Sequence, residues 1–249
     1  MKSGFVAMVG RPNVGKSTLT NRLCEEKVAI VSDKAGTTRD SIKGILTKGE
    51  TQYVVIDTPG IHKPKHLLGE HMTGIAIRTL KEVDCILFIL DGTQEISTGD
   101  QFVMERILEA GNTPRIAVIN KSDLFSDEEY AAKLAEVKEK LGEFNDVVML
   151  SSQFGFGVDR LLNSIKPFMT DEFWYYPDDM YTDMPVYKII GEIVREKILE
   201  RTQDEIPHSI AIEIINVSRR EEGKKDKYDV NIYVERNSRT TTFYQRLFS

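Results

Sequence analysis

The chain has 249 residues, enough for one large domain or one domain with a smaller companion. Hydrophobic residues make up 41% and charged residues 29%, ordinary for a soluble globular protein, and no apolar run approaches the roughly 18 residues that span a bilayer. The net charge of −6 argues against an all-over nucleic-acid binder, but it is unevenly shared: from Pro185 onward 12 Lys and Arg face 11 Asp and Glu, leaving 21 against 28 before it.

The first apolar run, Phe5-Val6-Ala7-Met8-Val9, is shorter than the about 7–15 residues of a secretory signal, so a cytoplasmic, reducing setting is expected. Cys24 and Cys85 sit in apolar patterns and read as inert core thiols. The run at 5–9 reads as a buried strand. So do Tyr53-Val54-Val55-Ile56, Cys85-Ile86-Leu87-Phe88-Ile89-Leu90, Ile116-Ala117-Val118-Ile119 and Val147-Val148-Met149-Leu150. Unbroken apolar runs suit strands covered on both faces. Residues 42–47 read as a further strand, antiparallel at the edge. Helical patterns lie between, opening at Ser17 and again over 128–142, where Tyr130, Leu134, Val137 and Leu141 share a face. This alternation predicts an α/β fold, a doubly wound sheet over residues 1–170.

Residues 171–184 break every period, with five acids, Pro177 and several aromatics, and read as a linker: a packed surface connector first, with docking of its aromatics onto a neighbour as the alternative. A smaller α+β unit is expected over 185–249: an amphipathic helix near 189–202, then alternating strands at 209–217 and 228–234 around a charged turn.

Gly10-Arg11-Pro12-Asn13-Val14-Gly15-Lys16-Ser17 fits G-x-x-x-x-G-K-[ST], after a predicted strand and opening a helix. The glycines let backbone N–H groups approach phosphate oxygens, and the helix N-terminus adds positive charge. Lys16 is expected at the β and γ phosphates and Ser17 on Mg²⁺. Asp57-Thr58-Pro59-Gly60 ends an apolar strand, where a carboxylate faces the crevice of an open α/β sheet. Asp57 is expected to hold Mg²⁺ through water and Gly60 to offer its N–H to the γ-phosphate. Thr38, in a polar loop, is the candidate to complete the metal shell. Asn120-Lys121-Ser122-Asp123 follows another strand. Asp123 can accept from guanine N1–H and N2–H₂, a pair adenine lacks. Lys121 can lie over the base and Asn120 can brace the loops. Ser151-Ser152-Gln153, at the next strand end, can offer a backbone N–H to guanine O6.

In order, strand-end placement and spacing these motifs resemble the translation-factor-like GTPases. Together with Gly36-Thr37-Thr38-Arg39-Asp40, the aromatic linker and a helix–strand–strand tail, they resemble the Era-type family over residues 1 to about 236. The resemblance implies a GTPase domain joined to an RNA-binding KH domain, and GTP/GDP with Mg²⁺ as cofactors. It implies nucleotide contacts from Gly10, Asn13, Val14, Gly15, Lys16, Ser17, Thr18, Asp57, Gly60, Asn120, Lys121, Asp123, Ser151 and Ser152. Ser17, Thr38 and Asp57 would hold the metal, and Lys16, Thr38 and Gly60 would act on the γ-phosphate. Some GTPases orient the attacking water with a glutamine after the Asp-x-x-Gly glycine; Ile61 stands there, followed by His62. The resemblance implies K⁺ at Asn13 instead. It further implies small-subunit ribosomal RNA and the small ribosomal subunit as partners, a monomer, and a cytoplasmic location with peripheral association at the inner face of the cell membrane. Loops near 33–41 and 60–74 are expected to respond to the γ-phosphate.

The tail departs from the family. A KH domain grips RNA through a G-x-x-G loop, expected soon after the strand at 228–234, but the last glycine is Gly223. The tail thus reads as a shortened or frame-altered KH domain, and a GTP-binding module without effective RNA binding is the alternative reading. A kinase or ATPase would share only the phosphate loop, and Asn120-Lys121-Ser122-Asp123 argues against it.

Overall fold

The computed structural model describes residues 1–32, 37–38, 40–62, 67–201, 210–218 and 226–234. The chain divides into two compact units, Met1–Ala29 with Thr38–Asp183, and Ile30–Thr37 with Met184–Ser249.

The first unit is built on six strands: β1 Lys2–Val9, β2 Ile42–Lys48, β3 Thr51–Asp57, β4 Cys85–Asp91, β5 Arg115–Asn120 and β6 Asp146–Met149. They lie in the order β2-β3-β1-β4-β5-β6. All neighbours run parallel except β2, which pairs antiparallel with β3 from Ile42 opposite Asp57 to Lys48 opposite Thr51. This is the α/β sheet with an antiparallel edge that the apolar runs predict.

Successive side chains of a strand point to opposite faces, so each unbroken run feeds two cores at once. Val6 and Met8 of β1, Leu87 and Ile89 of β4 and Val118 of β5 enter one core with Leu19 and Leu23 of α1 (Lys16–Cys24) and Leu161 and Ile165 of α5 (Val158–Ile165). Ala7 and Val9, Phe88 and Leu90, and Ile119 enter the other. There they meet Ala76 and Leu80 of α2 (Leu67–Leu80), Val103 and Ile107 of α3 (Thr98–Leu108), and Val137 and Leu141 of α4 (Asp127–Leu141). Both cysteines are buried, and burial pushes their thiols up to about 12, which keeps them protonated.

Two expectations change. The loop expected over 60–74 is helical from Leu67, because Met72, Ala76 and Leu80, four apart, bury together. Leu134 is 38% exposed, off the buried face of α4. Lys133 turns inward instead, since its ammonium donates to Gln94 O and pairs with Glu136 at 2.6 Å. The other expected loop is described only in part, residues 33–36 and 39 lying outside the described set.

Residues 171–183 strap the first unit rather than hang from it. Ser3 and Asp171 exchange backbone hydrogen bonds of 2.9 and 3.1 Å, and Ser3 Oγ donates to Phe173 O. Phe5 and Phe173 pack on Tyr175, with ring centroids 4.7 and 4.8 Å away. Ile45 N–H donates to Tyr181 O at 2.8 Å, and Lys43 pairs with Asp183 at 2.8 Å. Gln52, fully buried on β3, serves both backbone groups of Tyr176: its Nε2 donates to the carbonyl at 2.9 Å and its Oε1 accepts the N–H at 3.0 Å.

In the second unit, α6 (Val186–Arg201) packs Val194 and Ile198 on Ile210 and Ile212 of β7 (Ile210–Ser218). Strand β7 pairs antiparallel with β8 (Lys227–Val234), with a bulge between Ile214 and Asn216. Buried Arg195 pairs with Glu192 and donates to Thr37 O at 2.5 Å, while its Nη1 has no partner among the described residues. Glu196 Oε1 accepts Val31 N–H at 3.0 Å. The expected charged turn at 219–225 and the tail after Val234, where the resemblance implies a G-x-x-G loop, lie outside the described residues.

Gln52→Ala is expected to leave Tyr176 N–H and C=O unpaired and to cost about 1–3 kcal/mol. A lowered urea midpoint at unchanged slope, with faster amide exchange confined to the strap, would show it.

Candidate nucleotide-binding site

The site lies where β1, β3, β4 and β5 end, at the carboxyl edge of the sheet. After Val9 the loop 10–15 curls into α1. Asn13 and Gly15 have φ of 65° and 100°, a left-handed backbone. A Cβ on Gly15 would stand 2.2 Å from Asn120 Nδ2, so no other residue fits. Lys16 is buried, and its ammonium reaches back over the loop to the carbonyls of Gly10 at 3.2 Å and Arg11 at 2.8 Å. Burial pulls Lys16 down to about 8, only partly opposed by Asp57.

Asp57 is fully buried at the end of β3. Its Oδ2 accepts Ser17 Oγ at 2.6 Å, and Ser17 Oγ lies 3.1 Å from Thr38 Oγ1. Its Oδ1 has no partner among the described residues. Burial raises the carboxyl to about 6, against the pull of Lys16 and Ser17. One carboxylate and two hydroxyls form a hard oxygen set that fits Mg²⁺, which keeps phosphate and water ligands besides.

The next loop is pinned to the phosphate loop. Ile61 N–H donates to Gly10 O at 3.1 Å, Thr58 Oγ1 donates to Met8 O at 2.7 Å, and a Cβ on Gly60 would stand 2.9 Å from Pro12 N. Ile61 is fully buried in the core, and His62 Nδ1 lies 3.1 Å from Gly60 O.

On the other side of the loop, buried Asn120 joins three segments. Its Nδ2 donates to Val14 O at 2.8 Å and its Oδ1 accepts Ser152 N–H at 3.0 Å. Asp123 is exposed and accepts Ser151 Oγ at 2.5 Å. Lys121, with φ of 65°, pairs with Asp91 at 2.6 Å. Thr18 lies half-buried on α1, one residue past the Ser17 hydroxyl.

The structure thus gathers Lys16, Ser17, Thr38, Asp57 and Gly60 around one loop, and Asn120, Lys121, Asp123, Ser151 and Ser152 around its flank. Within Ser151-Ser152-Gln153, the segment expected to offer a backbone N–H to guanine O6, the Ser152 N–H donates to Asn120 Oδ1. Sequence reasoning misses Asp91, although it ends an apolar strand as Asp57 does. It also misses Arg22 of α1, which donates to the carbonyls of Ser152, at 3.2 Å, and Gln153.

A phosphate loop with a buried lysine, a strand-end aspartate beside two hydroxyls, and an Asn-Lys-x-Asp turn braced on the loop define a P-loop GTPase domain of the translation-factor-like class. The family model described as "50S ribosome-binding GTPase" matches residues 5–121. GTPase Era of Fusobacterium nucleatum subsp. nucleatum is 63% identical over 238 residues, covering 96% of this chain and 80% of the relative. Two Era crystal structures each match at 35% identity with a TM-score of 0.89, over 99% of this chain and 87% of theirs. One is a point variant from Aquifex aeolicus bound to GDP and AlF₄⁻; the other is Era with MgGDPNP and nucleotides 1506–1542 of 16S ribosomal RNA. The chain belongs to the Era family of GTPases.

Asn120→Ala is expected to strip partners from Val14 O and Ser152 N–H, at about 1–3 kcal/mol for each buried group left unsatisfied. A fall in urea-unfolding free energy, with a loss of nucleotide affinity, would register it.

Proposed function

We propose that this chain is a Mg²⁺-dependent GTP-hydrolysing switch that acts in small ribosomal subunit assembly, its second unit binding small-subunit ribosomal RNA. The observation that carries the enzymatic reading is the run from Thr38 Oγ1 to Ser17 Oγ to buried Asp57, whose second oxygen has no partner among the described residues, next to buried Lys16. Two opposite charges are held out of water here, at a cost that a phosphate–metal ligand would offset. Ser17, Thr38 and Asp57 would hold Mg²⁺, which when bound neutralises charge on the phosphates. Lys16 meets the β and γ phosphates, and the Gly60 N–H meets the γ-phosphate. Gly10, Asn13, Val14, Gly15 and Thr18 complete the phosphate cradle.

Asp123 accepts from guanine N1–H and N2–H₂, held in aim by Ser151. Lys121 lies across the base. Asn120 fixes the distance between base loop and phosphate loop. Ile61 is apolar and buried, so it orients no water; family resemblance supports K⁺ at Asn13 as the added positive charge. RNA binding is supported by the solved complex of Era with a 16S segment and by the helix–hairpin unit α6-β7-β8. Resemblance also supports a cytoplasmic monomer with peripheral association at the inner membrane face. Among the described residues no helix is long and apolar enough to cross a membrane.

The charge states give a pH dependence. Lys16 titrates near 8 without nucleotide, and phosphate binding needs the ammonium. Affinity for GTP is therefore full below about 8 and falls as pH rises through it, by up to about tenfold per unit. Asp57 titrates near 6, and Mg²⁺ needs the carboxylate, so the affinity that Mg²⁺ adds is lost as pH falls through about 6. Calorimetric titrations with and without Mg²⁺ between pH 5 and 9.5 would trace both limbs; a flat profile above 8 removes Lys16 from phosphate binding.

The decisive test of the whole reading pairs two assays on the full chain. Asp123→Asn is expected to lose GTP turnover and gain XTP turnover, because an amide donates where the carboxylate accepted. Unaltered Asp123 protein is expected to shift an RNA of nucleotides 1506–1542 of 16S ribosomal RNA more tightly with a GTP analogue than an unrelated RNA of equal length. Unchanged GTP use by the variant would overturn the base assignment, and equal binding of both RNAs would overturn the RNA-binding assignment.

A further inference from the structure

The connection from β4 to α3, residues 92–97, carries no nucleotide motif, yet it ties together the basic side chains of two loops that do. Asp91, at the carboxyl end of β4, is only 3% exposed. Its Oδ2 accepts Lys121 Nζ at 2.6 Å and Gln94 Nε2 at 3.1 Å. Its Oδ1 accepts the Thr93 N–H at 3.0 Å and the Thr93 hydroxyl at 2.7 Å. The Gln94 amide turns its oxygen to Arg11 Nη2 at 3.1 Å. Arg11 is held from its other edge by buried Asp100, Nε to Oδ1 2.8 Å, and the Arg11 carbonyl accepts Lys16 Nζ at 2.8 Å. A polar path therefore runs from Lys121 in the base loop, through Asp91 and Gln94, to Arg11 in the phosphate loop.

A lysine that must lie flat across a base has a long, freely rotating stem, and ordering that stem opposes binding. Fixing its ammonium beforehand removes the opposition. Burial would raise the Asp91 carboxyl, but the hydrogen bonds from Lys121 and Thr93 more than offset it and hold it below the usual carboxylate range. Asp91 is thus a standing anion at the far end of Lys121, in hydrogen-bond contact at an ion-pair distance. Gln94 suits its place because a neutral amide presents a donor to the anion and an acceptor to the cation.

We propose that Asp91 is a positioning residue for guanine recognition, acting through Lys121, and that Gln94 holds this clamp in register with the phosphate loop through Arg11. The proposal rests on the assignment of Lys121 to the face of the base.

The test is a double-mutant cycle on GDP binding with the full-length chain. Asp91→Asn keeps the shape and removes the charge, and is expected to weaken GDP about tenfold. Gln94→Ala leaves the buried carboxylate intact and is expected to weaken GDP about threefold, which keeps the test open should Asp91→Asn unfold; thermal melts report that. In a Lys121→Met background, which keeps an unbranched apolar stem without the ammonium, both effects are expected to shrink below about twofold. If Lys121→Met alone leaves GDP affinity unchanged, the base assignment falls and the proposal with it. If Lys121→Met weakens GDP but Asp91→Asn and Gln94→Ala act just as strongly without Lys121, the two residues serve the fold and the positioning role is overturned.

Discussion

One side-chain amide sets the geometry of the nucleotide face. Asn120 donates to Val14 O, 106 residues earlier, and accepts from Ser152 N–H, 32 residues later. It is buried, so both bonds form out of water, where leaving either group unpaired is costly. The constraint propagates. Gly15 must lack a side chain because Asn120 occupies the space. The left-handed turn at Gly15 opens α1, and α1 in turn delivers Lys16 and Ser17 to Asp57. Fixing Ser152 sets the strand-end turn from which Ser151 aims Asp123.

Around that bridge the sheet supplies the rest by burial alone. Strands β1 and β4 are sealed on both faces, so the first polar side chains beyond each apolar run must emerge at the strand ends. Asp57, Asp91 and Asn120 do so, on one edge, because their strands run parallel. Lys16 and Asp57 carry the electrostatic consequence: each is pushed toward its neutral form by lost hydration and drawn back by the other.

Much of this was legible in the residues. The strand runs and the phosphate, strand-end and guanine motifs are short-range patterns, and chemistry fixes their spacing. What escaped depends on long-range partners. The inward turn of Lys133 answers to Gln94 and Glu136, so no period in α4 announces it. Helix α2 begins inside a stretch that reads as a loop, because the burial of Met72, Ala76 and Leu80 emerges only against the sheet. Asp91 gives no motif of its own; its meaning lies in Lys121, 30 residues on. The bond from Ser152 N–H to Asn120 joins residues 32 apart, and no motif announces it.

The strap over residues 171–183 has one more effect. Strand β2 is outermost in the sheet, with β3 on its inner side. The amide of Ile45 points outward and would stand as an open rung, but Tyr181 caps it and Asp183 draws Lys43 down alongside. A segment that composition describes as a spacer is thus an edge guard. A chain cut before Tyr181 would keep every nucleotide motif and still present β2 as a template for strand addition. Its failure would be intermolecular pairing that grows with concentration, while nucleotide chemistry at the carboxyl ends of the parallel strands stayed intact.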